Sequence, residues 1–123
     1  MKIIVMEKLR YSIIYAVIRS EITERVSIGL ITIGDGKVDV RYSKKKLDAL
    51  RLLFPEKKYS CLSKVVKSMS RKHTIGTAED INYLSRYSNN LISVSPLQTI
   101  DIEPTKKSCD WLYRNYISVQ ADK

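Results

Sequence analysis

Two apolar runs, Leu9 to Ile18 and Val26 to Ile33, stand either side of a charged elbow, Arg19-Ser20-Glu21-Ile22-Thr23-Glu24-Arg25. In the first run Leu9, Tyr11, Ile13, Tyr15 and Val17 alternate with Ile14, Ala16 and Ile18. Apolar residues on both alternating sets predict a central strand covered on both faces. The second run repeats this character. Gly34-Asp35-Gly36-Lys37 then supplies an Asp-Gly turn into Lys37 to Tyr42, where Val38, Val40 and Tyr42 alternate with Lys37, Asp39 and Arg41. The last strand of this hairpin is expected to be half-exposed, and its alternating charges oppose uncontrolled edge pairing. Gly29 has no side chain to pack, so it marks a bulge or the close approach of another backbone.

After Tyr42 the apolar period changes from two to about 3.6. Leu47, Leu50 and Phe54 line a helix predicted from Ser43 to Pro55. In the next helix Leu62, Val65, Val66 and Met69 form the buried stripe, and Lys64, Lys67, Arg71 and Lys72 the exposed side. Thr77-Ala78-Glu79-Asp80 resembles a capping box with Asp in place of Glu or Gln, and Ile81, Leu84 and Tyr87 continue that helix until Asn89-Asn90. Leu91 to Ser95 and Thr99 to Ile102 predict one or two short strands. Glu103-Pro104-Thr105 opens a last helix with Cys109, Leu112, Tyr113 and Tyr116 on its apolar side. Strands first, helices in the middle, then a short strand and a closing helix define an α+β fold. It is read as an antiparallel sheet packed by about four helices, in one domain spanning residues 1–123.

At 123 residues with 44% hydrophobic and 28% charged residues the composition is globular rather than disordered or fibrous. Met1-Lys2-Ile3-Ile4-Val5-Met6 is apolar, but Glu7, Lys8 and Arg10 interrupt it before a signal-peptide core forms. No stretch reaches the roughly 18 to 20 apolar residues of a membrane span. A cytosolic protein without membrane association is expected, with Cys61 and Cys109 reduced and both packed as core thiols. Neither cysteine has metal-ligand neighbours at zinc spacing. No metal or cofactor is expected.

Charge is the strongest physical pointer to function. Between Lys44 and Lys72 stand ten basic residues (Lys44, Lys45, Lys46, Arg51, Lys57, Lys58, Lys64, Lys67, Arg71, Lys72) against Asp48 and Glu56, an excess of eight within a chain whose net charge is +9. Lys64, Lys67 and Arg71 recur at three- and four-residue steps, which puts them on one helix face able to meet phosphates or an acidic protein. The same run also serves solubility. The exposed side of these helices lacks the interleaved aromatics that stack on single-stranded bases, and no helix-turn-helix or zinc-finger pattern is present.

For catalysis the best constellation is the elbow, where Arg19, Glu21, Glu24 and Arg25 stand near Ser27 and Gly29 in sequence, with a general base among the glutamates if one is buried. The bland alternative is a solvated turn with surface ion pairs. His73, the sole histidine, sits beside Lys72 at a helix end, where it meets the helix dipole. There is no Gly-x-Ser-x-Gly nucleophile elbow and no Gly-rich phosphate loop. Most of the eight tyrosines fall on or beside apolar stripes and read as packing.

Tyr11-Ser12-Ile13-Ile14 followed by Glu24-Arg25-Val26-Ser27-Ile28-Gly29-Leu30-Ile31 resembles the opening of a bacterial family called domain of unknown function 3037. Its pattern reads Tyr-Ser-x-x-Arg-Tyr, a Pro-containing elbow, then Glu-x-Val-Asn-Ile-Gly-Val. Trp111-Leu112-Tyr113-Arg114-Asn115-Tyr116-Ile117 is similar to that family's terminal helix. Glu24, Val26, Ser27 and Gly29 hold the family-like motif, while Tyr15 replaces Arg, Ser27 replaces Asn and the elbow lacks Pro. The resemblance brings no catalytic chemistry; family members are often encoded beside HipA-like kinases, which implies an accessory role. The sequence therefore leads to a small non-catalytic binding or regulatory protein that meets an acidic protein through Lys64, Lys67, Arg71 and Lys72. Nucleic-acid binding through the same face is the alternative, and an enzyme centred on Glu24 the third.

Overall fold

A computed structural model of the chain describes residues 8–34, 36–69, 75–86 and 91–118. The expectations placed on the opening Met1 to Glu7, Asp35, Arg71, Lys72, His73, Tyr87 and Asn89-Asn90 lie outside the described residues.

Strand β1 (Leu9–Arg19) pairs antiparallel with β2 (Glu24–Gly34), and β2 with β3 (Lys37–Tyr42). The β2–β3 connection is a two-residue loop closed by the Gly34–Lys37 pair, with Gly36 at φ 73, a left-handed conformation that costs a glycine nothing. Helices α1 (Lys44–Leu50), α2 (Glu56–Met69) and α3 (Ala78–Arg86) follow, then strands β4 (Ile92–Val94) and β5 (Gln98–Ile100) and helix α4 (Lys106–Tyr116). Both late strands pair with the free edge of β1, β4 against Ile14 to Ala16 and β5 against Leu9 to Tyr11. They are one edge strand broken around Pro96, which has no N–H to donate. At the break, Ile13 N–H donates to the Ser95 hydroxyl (2.8 Å) while Ser95 N–H donates to the Ile13 carbonyl (2.9 Å), so a side chain replaces the missing ladder acceptor. The expected α+β fold is therefore the observed one, with an antiparallel sheet and four α-helices among the described residues.

β1 is central, and a layer of helices covers each of its faces. Ile14, Ala16, Ile28, Ile31, Ile92 and Val94 pack with Leu50 of α1, Leu62, Val66 and Met69 of α2 and Ile81 of α3. On the opposite face Leu9 and Leu30 pack with Leu112 and Ile117 at α4. Ile28 and Ile31 share a face although strict alternation would separate them. The register explains it: Gly29 pairs with Ile14 and Ser27 with Tyr15, leaving Ile28 as a bulged residue that resets the phase. Gly29 also lies beneath a neighbour, because a Cβ there would stand 2.9 Å from both the Arg41 carbonyl oxygen and the Tyr42 ring. Bulge and close approach therefore meet at one glycine.

α1 is shorter than its sequence pattern implies. Ser43 caps it, its hydroxyl accepting from Lys46 N–H at 3.2 Å. Beyond Leu50 the backbone tightens into three-residue turns, Leu52 N–H to Ala49 and Leu53 N–H to Leu50, because a residue ahead of Pro55 avoids the α conformation. Leu50 and Phe54 are buried as the pattern implied, but the tightened turn turns Leu52 and Leu53 outward, to 90% and 59% exposure. The Thr77–Asp80 box forms as read: Asp80 N–H donates to the Thr77 hydroxyl, and the Asp80 carboxylate accepts from the Gly76 and Thr77 amides. Those bonds, that from Gly76 foremost, hold the Asp80 carboxyl below its ordinary value.

Candidate functional site

α2 is built to separate core from charge. Leu62, Val66 and Met69 recur at four and three residues and are buried, while Lys57, Ser60, Lys64 and Lys67 recur on the opposite side and are exposed. Glu56 stands in the first turn and Lys67 in the last, each favourable to the helix dipole. Cys61, read from sequence as a core thiol, is exposed. It lies about a quarter-turn from Leu62, outside the narrow stripe that meets the sheet. Cys109 is half-buried beside the α4 cluster.

The eight basic residues of the segment that are described, Arg71 and Lys72 lying outside them, divide into structural and unclaimed ones. Lys46 reaches back to β2 and donates to the Ser27 carbonyl (2.8 Å) and hydroxyl (2.9 Å), and burial lowers its pKa. Lys58 donates to the Ile18 carbonyl at 3.2 Å and lies 4.8 Å over the Phe54 ring. Arg51 sits 5.1 Å over Tyr59. Lys44, Lys45, Lys57, Lys64 and Lys67 pair with no acid among the described residues. Of the four residues singled out from sequence, Lys64 and Lys67 thus share one exposed face. Leu52 and Leu53 immediately precede this helix; sequence reading missed their exposure because it placed them inside a continuous helix.

The elbow does not assemble a catalytic cluster among the described residues. Arg19 and Glu24 form an ion pair at 3.6 Å with both side chains substantially exposed, an interaction worth about 0–1 kcal/mol. Arg25 stacks 4.0 Å over the Tyr15 ring. Ser27 faces elsewhere: it accepts from Lys46 and donates to the Tyr116 carbonyl at 3.4 Å. Val26 packs against the α1–α3 side of the sheet, and Gly29 lies under Tyr42. The family-like motif is therefore divided among an exposed ion pair, the core, the α1 and α4 ends and the β3 contact.

On the α4 face Tyr116 contacts Tyr11 and Trp111, with ring centroids 5.7 and 6.2 Å apart. Tyr113 donates to the Tyr42 carbonyl at 3.1 Å, and Arg41 bridges Asp39 and Asp110, which ties α4 to the edge strand β3. No helix among the described residues is long and apolar enough to cross a membrane. Compared with family models, curated proteins and solved structures, the chain finds no match in any of the three.

Proposed function

We propose that the protein is a small non-catalytic binding or regulatory protein whose α2 face docks an acidic protein surface. The carrying observation is the exposed stripe of Lys57, Lys64 and Lys67, which no described acid neutralises. Arg71 and Lys72 continue the stripe in sequence. The exposed Leu52 and Leu53 favour a protein partner over a bare polyanion, because an interface joins an apolar centre to a charged rim. The resemblance to the family of unknown function suggests a HipA-like kinase as that partner, and a cytoplasmic setting accords with it.

The test is capture of partners by the tagged protein from native lysate, with and without nuclease, beside a Lys64→Glu/Lys67→Glu variant and a Leu52→Ser/Leu53→Ser variant. The reading expects one protein recovered in both nuclease conditions and lost in both variants. Undiminished recovery by the charge-reversed protein removes the α2 face from the function. Nuclease-sensitive material alone, with binding that falls steeply as salt rises, puts nucleic acid in its place.

A further inference from the structure

On the side of the sheet away from α2, the start of α4 and the β2–β3 hairpin enclose a cleft of about 380 Å³. Its size falls in the range of small-ligand sites, roughly 300–1,000 Å³. Lys37, Arg41 and Lys106 bring three positive charges to it against the single carboxylate of Asp39. Arg41 is committed to Asp39 and Asp110, whereas Lys37 and Lys106 pair with no acid among the described residues. The cleft's unpaired positive charge therefore rests on the Lys37 and Lys106 side chains, Arg41 being neutralised by its two carboxylates.

Its neutral donors point the same way. Thr105 caps α4 by accepting from Ser108 N–H at 3.2 Å, which leaves the amide of Lys106, the first-turn residue that lines the cleft, without a described acceptor. Such amides and the helix dipole favour an anion. Independently of the helix, Thr32 lines the cleft from β2, is only 3% exposed, and its hydroxyl has no described partner. The hydroxyls sealed from solvent without a partner are those of Ser12 and Tyr42, and Thr32 is not among them. Its hydroxyl therefore keeps a contact with solvent, and the cleft is the opening that this otherwise buried residue lines. Leu9, Pro104 and Cys109 make an apolar wall beside it. Gly34 lets that wall form, since a Cβ there would overlap Pro104.

We propose that this cleft binds a phosphate-bearing small molecule, the phosphate held by Lys37, Lys106, the Thr32 hydroxyl and the Lys106 amide at the start of α4, and its organic part lying against Leu9 and Pro104. The site is independent of the α2 face. The test titrates the full chain with inorganic phosphate and with phenyl phosphate at constant ionic strength, following backbone amides by NMR. Saturable shifts centred on Thr32, Lys37 and Lys106 are expected, with phenyl phosphate binding more tightly. Thr32→Val keeps the branched shape and should weaken binding about tenfold or more, the scale of one hydrogen bond to a charged group. Lys37→Glu/Lys106→Glu should abolish it, while Lys64→Glu/Lys67→Glu leaves it unchanged. Shifts that do not saturate, that spread evenly over the surface lysines, or that survive Lys37→Glu/Lys106→Glu overturn the proposal.

Discussion

Gly29→Ala tests the tightest contact in the sheet. The added Cβ would stand 2.9 Å from the Arg41 carbonyl oxygen and 2.9 and 3.1 Å from two Tyr42 ring carbons. The oxygen belongs to the backbone of the β2–β3 pair, and the ring is packed into the α1–α3 core, so neither retreats freely. Overpacking of this kind costs about 1–3 kcal/mol. Replacing glycine in a strand returns about 0.5–1 kcal/mol of backbone entropy, which leaves a mid-range net loss of about 1 kcal/mol and an upper bound of about 2.5 kcal/mol. At an unfolding entropy of about 2.1 cal/mol/K per residue, the mid-range loss lowers the melting temperature of a chain this size by about 4 °C. Thermal unfolding followed by circular dichroism measures it, and a Tyr42→Val background isolates the ring. There the alanine should cost less by about 0.5 kcal/mol or more, a coupling expected only between contacting residues. An alanine that costs nothing, or costs the same in both backgrounds, refutes the claim that Tyr42 excludes a side chain at position 29.

Ser12→Ala should leave stability unchanged or raise it by up to about 1 kcal/mol in denaturant titration, because the buried Ser12 hydroxyl has no described partner to lose. Asp80→Asn should lower the melting temperature at neutral pH. The depressed carboxyl pKa of the folded state contributes stability above the unfolded value near 3.8 and loses it as pH falls through the folded value, so the gap to wild type should close in acid; a pH-independent gap would contradict this. Cys61, exposed, should react with a thiol reagent well before half-buried Cys109, and equal rates in the native protein would contradict the placement of α2.

Local pattern determined much of this fold. The two-sided apolar run of Leu9 to Ile18 announced a central strand covered on both faces, and the Asp-Gly turn with the alternation of Lys37 to Tyr42 announced the edge hairpin. Thr77 and Asp80 announced a helix cap, because capping and period are short-range properties written in neighbouring residues. The α2 stripe likewise made Lys64 and Lys67 legible as exposed. Tertiary structure decided the rest. Only the sheet register shows that Ile28 is bulged and that Leu91 to Ile102 supplies one broken strand along β1. Only the turn before Pro55 turns Leu52 outward, and only three-dimensional packing separates Lys46 and Lys58, spent on carbonyls of the sheet, from identical lysines left in solvent. The α4 cleft draws on Thr32, Lys37 and Lys106, whose meeting no local period encodes. Sequence fixes what each segment prefers next to its neighbours; which distant side chains share a wall follows from how the two helical layers close over β1.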